Sequence, residues 1–331
     1  MFTALLLALL CTATWARKTE IRQMPNRIHN DFVHPLPHTY VSSSSFPSSW
    51  DWSNVQGRSY MTKNLNQHIP QYCGSCWAHA ALSALADRIK IARQGKGIDI
   101  NFSIQYIMNC GRDEAGSCSG GDSGALHQFV KKQGFVPYDT CLPYEACSAD
   151  SEEQGCKGRD WECTALNTCK TCSTFTAYGG FCSALDIFPN ATIAEYGQVA
   201  GEEQMMAEIY ARGPISCYVN AAPIDRYNGG ILDAPTADRS PNHAISVYGW
   251  GVDSVSGKKF WRIRNSWGEY YGEMGHVRLV RGENQLGIED TCYWATPGTY
   301  TVVNFGCYED GSNCVHHETY SDPAIAKAWH F

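Results

Sequence analysis

Residues 73–77 read Cys73-Gly74-Ser75-Cys76-Trp77, and they open a run from Cys76 to Gln94 that holds neither glycine nor proline. Ala78, Leu82, Leu85 and Ile89 recur through that run at helical spacing and Gly95 stops it, so the spacing predicts a helix that begins at Cys76. A thiol in the first turn of a helix faces unsatisfied N–H groups and the positive end of the helix dipole, and both favour its anion. Cys76 is therefore a candidate nucleophile. The same pentapeptide also permits a structural disulfide, or a redox pair of the kind in which two cysteines flank two residues.

A thiolate nucleophile needs an imidazole to form the ion pair and then protonate the leaving amine, and a third group to orient that imidazole. Pro241-Asn242-His243-Ala244-Ile245-Ser246-Val247 places His243 at the start of an apolar, strand-like run, and Arg264-Asn265-Ser266-Trp267-Gly268 follows one strand later. The Asn265 amide offers an acceptor for one ring nitrogen, and Trp267 offers a large aromatic to shield that bond from water. A lone histidine at a strand start is more often structural. Cysteine, histidine and asparagine in that order, with strands around the last two, point to a thiol-dependent hydrolase.

Outward from these motifs, residues 103–109 and 205–211 read as short helices. Residues 215–219, 244–248, 260–264 and 277–280 read as strands. Helices first and strands later predict an α+β protein of two lobes. Residues 140–182 carry Cys141, Cys147, Cys156, Cys163, Cys169, Cys172 and Cys182 among polar residues, the pattern of a loop region stapled by disulfides. At the N-terminus, the apolar run Ala4 to Leu10 precedes small residues up to Ala16 and then Arg17-Lys18, so residues 1–16 read as a signal peptide. Residues 17–45, with their prolines and the run Ser42-Ser43-Ser44-Ser45, read as a short propeptide rather than a domain.

The chain has 331 residues and a net charge of −7, with its charges scattered, so no basic field for nucleic acid is present. No stretch approaches the roughly 20 apolar residues of a membrane span. Of the 16 cysteines, removal of Cys11 with the signal leaves an odd number in an oxidising compartment, so one thiol stays unpaired when all others pair. The implied destination is the secretory pathway, ending in the lysosome or outside the cell.

Residues 46–297 resemble the papain family of cysteine peptidases, and within it the cathepsin X (or Z) branch. The resemblance is carried by Ser49-Trp50-Asp51-Trp52, by Asn66-Gln67-His68-Ile69-Pro70-Gln71-Tyr72-Cys73-Gly74-Ser75-Cys76-Trp77-Ala78-His79 and by Gly116-Ser117-Cys118-Ser119-Gly120-Gly121. It continues in Gly213-Pro214-Ile215-Ser216-Cys217, Asn242-His243 and Arg264-Asn265-Ser266-Trp267-Gly268-Glu269. The three-residue insertion His68-Ile69-Pro70 is what points to that branch, whose members are carboxypeptidases. The family fold has a helical N-terminal lobe and a β-barrel-like C-terminal lobe with the active-site cleft between them.

The resemblance implies catalytic roles for Cys76, His243, Asn265 and Gln67, the last as oxyanion-hole side chain in preference to Gln71. It implies that Gly121 lies along the substrate backbone, that Trp267 covers the His243–Asn265 pair, and that His68 binds the terminal carboxylate of a substrate. Tyr72 is a further candidate at that end of the cleft. It pairs Cys73 with Cys118, Cys110 with Cys163, Cys141 with Cys169, Cys172 with Cys182 and Cys217 with Cys292. Cys147 with Cys156, and Cys307 with Cys314, have no family counterpart and are paired here as local neighbours, which leaves Cys76 over. A zinc site at Cys169 and Cys172 is disfavoured on the same pairing, and neither a metal nor a cofactor is expected.

The implied partners are peptides and proteins with free C-termini and protein inhibitors of papain-like enzymes; the expected state is a monomer. Asn101 and Asn190 begin glycosylation sequons. Three departures stand out. Residues 17–45 lack the cysteine that latches the catalytic thiol in the cathepsin X branch, the stretch with Cys147 and Cys156 is an insertion, and residues 298–331 extend past the family's usual end as a surface tail. The competing readings are an endopeptidase or dipeptidyl-type exopeptidase with a displaced insertion loop, a thiol–disulfide oxidoreductase using Cys73 and Cys76, and a catalytically idle binding protein.

Overall fold

Apolar runs in the second half of the chain need partners for both their backbones and their side chains. The computed structural model, which describes residues 18–302, 307–312 and 314, gathers them into one large sheet. Four helices accompany it among the described residues: α1 (Cys76–Ala92), α2 (Ile104–Cys110), α3 (Ser123–Gln133) and α4 (Glu202–Arg212). The strands begin with β1 (Trp50–Asp51), β2 (Gly116–Ser117), β3 (Gly120–Gly121), β4 (Val136–Pro137), β5 (Lys170–Cys172), β6 (Cys182–Ala184) and β7 (Asn190–Val199). They continue with β8 (Ile215–Val219), β9 (Ile231–Leu232), β10 (His243–Val252), β11 (Lys259–Arg264), β12 (His276–Val280) and β13 (Cys292–Tyr300).

The large sheet runs in the order β4-β7-β13-β8-β10-β11-β12-β9, with β1 also paired to β10. The barrel-like lobe implied by the resemblance is thus an open sheet: its path ends on β4 and β9, each only two residues long, and no pairing joins them among the described residues. Two large hydrophobic cores among the described residues give the two lobes. One gathers Trp77, Leu82, Leu85 and Ile89 of α1 with Ile107, Phe129 and Tyr196. The other lies under the sheet around Trp250, Trp261, Ile263 and Trp294.

Helix α1 ties the cores together through charge as well as packing. Its Asp87 pairs with Arg264 of β11 at 2.6 Å, and its Arg88 with Glu208 of α4 at 2.9 Å, all four side chains being buried. Removing one partner of such a pair leaves an uncompensated buried charge and costs about 3–5 kcal/mol. The helix that carries Cys76 is therefore fixed at several points to the sheet that carries His243.

Three elements had weaker sequence signals. Helix α3 starts on a glycine-rich stretch, yet Asp122 caps it by accepting from Gly124 and Ala125, and Gly134 ends it in the left-handed conformation at φ 80°. Strand β7 pairs with β13 through a register that shifts at Pro297, so β13 runs past residue 297 to Tyr300. The peptidase sheet therefore includes the first residues of the proposed extension. Residues 1–17 and most residues after 302 lie outside the described residues, including the signal-peptide segment 1–16. Of the rest of the extension, Cys307 is bonded to Cys314, and the Glu309 carbonyl accepts from Thr171 at 3.1 Å, which docks this loop beside β5.

Residues 18–46, which have little periodicity of their own, lie as a strap across the domain. Arg27 reaches Asp122 at 2.6 Å and the Tyr293 hydroxyl at 2.7 Å. Asp31 exchanges backbone hydrogen bonds with Tyr196, and Phe32 packs on Trp294 at 5.6 Å between ring centroids.

Candidate active site

Cys76 is the first residue of α1 and is fully buried. Its Sγ lies against the sheet, where the Ala244 N–H of β10 points at it from 3.3 Å. A helix N-terminus and an oriented N–H both stabilise a sulfur anion. Cys73, three residues earlier, is bonded to Cys118, so it is not available as a redox partner for Cys76. Cys76 takes part in none of the disulfides among the described residues.

His243 opens β10. Strand β10 pairs antiparallel with β11 starting at Ser246 opposite Arg264, so the first residue of β10 and Asn265, the residue after β11, come out at the same end of the pair. The Nε2 of His243 donates to Asn265 Oδ1 at 2.8 Å, and that oxygen also accepts from the Ser266 N–H at 2.8 Å. With Oδ1 fixed as acceptor, Nε2 carries the proton and Nδ1 faces the other way. A His243 ring nitrogen, Cys76 Sγ and a Glu20 carboxylate oxygen lie within 4.8 Å of one another. The Trp267 ring sits 4.8 Å from the imidazole and is itself buried, so it covers the His243–Asn265 bond from water.

Gln67 is buried beside them, and every polar group of the residue is used. Its backbone N–H donates to the Ser266 carbonyl at 2.8 Å, and its Oε1 accepts from Ser266 Oγ at 2.7 Å. This leaves the amide nitrogen aimed at the centre, where it donates to the Cys73 carbonyl at 3.1 Å and to Glu20 Oε2 at 3.0 Å. Gln71 goes elsewhere: its amide donates to the Glu145 carbonyl at 2.8 Å and lies against the Cys147–Cys156 sulfurs. The Cys147–Cys156 insertion thus supports the far side of the His68-Ile69-Pro70 loop.

His68 is half-buried, and its backbone N–H donates to Asn66 Oδ1 at 3.0 Å. Its ring stacks on Tyr72 at 5.0 Å and lies 6.3 Å from Trp267, nearly parallel to both. Gly121 has no room for a side chain on its inner face. A Cβ there would come within 2.4 Å of the Trp77 ring and 2.5 Å of the Ala115 carbonyl, so the wall behind the cleft excludes a side chain. Its front edge bonds the strap: Gly121 N–H donates to the Glu20 carbonyl and its own carbonyl accepts from Arg22.

Three contributors had escaped the sequence reading. Ser266 holds the Gln67 amide, and its only sequence signal was its place between Asn265 and Trp267. Tyr144, on the disulfide-stapled loop, donates to the Gln67 carbonyl at 2.9 Å and lies 2.6 Å from Ser75 Oγ. Glu20, from the strap, had no signal. Nearby His79 is buried with its Nδ1 against the Ser75 carbonyl, and burial lowers its pKa to about 4, so it stays neutral.

The disulfides join Cys73–Cys118, Cys110–Cys163, Cys141–Cys169, Cys147–Cys156, Cys172–Cys182, Cys217–Cys292 and Cys307–Cys314. Cys169 and Cys172 are thereby both committed to bridges. Of the two sequon asparagines, Asn101 borders an open pocket of about 290 Å³, whereas the Asn190 amide donates to the Phe188 carbonyl at 3.0 Å.

Residues 46–296 match the papain family cysteine protease pattern. The chain is 39% identical to cathepsin Z of Onchocerca volvulus over 76% of this chain and 78% of that protein. It is 31% identical to fruit bromelain of Ananas comosus over 73% of this chain and 57% of that one. Among solved structures, the bromelain protease of Ananas comosus in complex with the E64 inhibitor superposes with a TM-score of 0.57 at 28% identity, covering 76% of this chain and 99% of that one. Digestive procathepsin L2 of the Tenebrio molitor larval midgut superposes with a TM-score of 0.63 over 84% and 78%; at 24% identity this speaks for the fold alone.

Proposed function

The chain belongs to the papain family of cysteine proteases, and from that membership we propose that it is a carboxypeptidase releasing single residues from the C-termini of peptides and proteins. In this reading Cys76, as thiolate, attacks the scissile carbonyl, and His243, as imidazolium, protonates the leaving amine. Water then hydrolyses the acyl-enzyme with His243 acting as base. The Gln67 amide and the Cys76 backbone N–H receive the oxyanion, and one such donor is typically worth about 3 kcal/mol. Asn265 holds the ring and Trp267 keeps the bond dry.

The observation that carries the exopeptidase reading is the place of His68. Its ring lies 6.3 Å from Trp267, whose ring is 4.8 Å from His243, so an imidazole stands one aromatic ring beyond the catalytic histidine. A protonated imidazole there is a charge-assisted donor for a terminal carboxylate, and Tyr72 backs it by stacking. Product analysis on matched peptides with free and amidated C-termini tests the reading. Stepwise loss of single residues from the free acids, with the amides spared, is expected. Internal fragments from both would make the enzyme an endopeptidase.

The same proposal divides the chain into a signal peptide at 1–16, a propeptide at 17–45, the peptidase domain at 46–297 and an extension at 298–331. Seven disulfides suit a secretory or lysosomal setting.

A further inference from the structure

We infer that Glu20 is a non-covalent stopper whose side-chain carboxylate fills the acyl-oxygen site of the catalytic centre and keeps the full-length chain latent. The inference rests on the catalytic assignment of Cys76 and His243 but holds equally for an exopeptidase and an endopeptidase.

Glu20 is 2% exposed, although it belongs to a segment that is otherwise largely solvent-facing. Burying a carboxylate is costly unless it is paired and hydrogen-bonded, and here its partners are those of the reaction. Oε2 accepts from the Gln67 amide at 3.0 Å and lies 3.5 Å from His243 Nδ1. Oε1 accepts from the Tyr72 hydroxyl at 2.7 Å. The backbone on either side is pinned: Glu20 N–H donates to the Asn242 carbonyl at 3.0 Å, and Gly121 N–H donates to the Glu20 carbonyl at 3.1 Å. The fit is close, because a Cβ at Gly74 would stand 3.1 Å from Glu20 Cγ and one at Gly120 2.9 Å from the Glu20 carbonyl oxygen.

The chemistry explains why a carboxylate suits the place. Hydrolysis of an acyl-enzyme ends with a carboxylate facing the oxyanion donors and the imidazole, so Glu20 presents the product's functional group without being a product. It is a poor electrophile, has no leaving amine, and puts a side chain rather than a scissile peptide carbonyl beside Cys76. Cys76 is in none of the disulfides among the described residues, so the block by Glu20 is non-covalent. Anchorage of the strap through Arg27 to Asp122 makes the plug intramolecular, which raises its effective concentration.

The test is the rate at which a thiol-reactive epoxide labels Cys76 in the full-length chain, without reductant, for the parent, E20Q, E20A and E20D. Loss of the charge-assisted bonds raises the open fraction, so E20Q and E20A are expected to label about ten- to a hundredfold faster than the parent. E20D keeps the charge but falls one methylene short, and is expected to label faster than the parent too. Once limited proteolysis has removed the strap, all four should label alike. If E20Q and E20D label as slowly as the parent, the strap blocks by its backbone alone and the inference is wrong. If processed parent enzyme fails to label, the assignment of Cys76 itself falls, a failure visible before the variants are compared.

Discussion

Replacing His68 with alanine separates recognition of a C-terminus from catalysis, and the structure says how large the separation should be. The loop itself should survive, because its hold on Asn66 comes from the His68 backbone N–H and Gln71 anchors it independently. What is lost is an imidazole ring stacked 5.0 Å from Tyr72, and with it a charge-assisted hydrogen bond to the substrate carboxylate. Such a bond contributes about 1.5–3 kcal/mol, so kcat/KM on free-acid peptides should fall roughly ten- to a hundredfold. Amidated peptides never had that bond, so their slow cleavage should change by less than about threefold. The assay compares kcat/KM for matched acid and amide peptides on processed enzyme at mildly acidic pH, with active sites counted by epoxide titration. Equal losses on acid and amide substrates would refute the reasoning, since the loop would then act only as shape.

The remaining expectations are narrower. Cys76→Ala should abolish peptide hydrolysis and Cys76→Ser should leave at most a trace, because serine has no thiolate character here; substantial turnover by either purified variant would remove Cys76 from the mechanism. Ser266→Ala frees the Gln67 amide to rotate, so kcat/KM should fall about five- to tenfold, while the Ser266→Ala, Gln67→Ala double variant should be no worse than Gln67→Ala alone. His127 is buried on α3 with no partner for Nδ1 among the described residues, and burial lowers its pKa to about 3. The unfolded chain therefore binds the extra proton first, so the folding stability associated with this group is whole above about pH 6.5 and declines from there toward pH 3. Denaturant titrations should show about 2.7 kcal/mol of that decline by pH 4.5, and His127→Leu should remove that share of it; an unchanged slope would mean that other groups govern acid stability.

How much of this was legible depended on whether a residue's role leaves a local trace. Helix α1 could be read because its core positions repeat along sixteen uninterrupted residues beyond Cys76, and strands β8, β10, β11 and β12 because their apolar runs are bounded, whereas the two-residue β9 left no such run. Strand β13 was harder, since Pro297 breaks its register with β7 and its last residues carry the chain beyond the expected domain end. The helical lobe and sheet followed from element order, but the openness of the sheet did not, because closure depends on whether two-residue edge strands find each other. Cys76, His243, Asn265 and Gln67 sit in stretches whose neighbours announce a turn or a strand. Glu20 is the opposite case: one carboxylate among the polar residues of the strap, without periodicity or motif, whose meaning comes from what it touches. Residues 17–45 hold no cysteine that could bond Cys76, and only the fold shows what stands there instead. A strap laid along Gly121 places the Glu20 side chain between Gln67 and His243, where two acceptor oxygens satisfy the amide and the phenol and one of them stands 3.5 Å from the imidazole Nδ1.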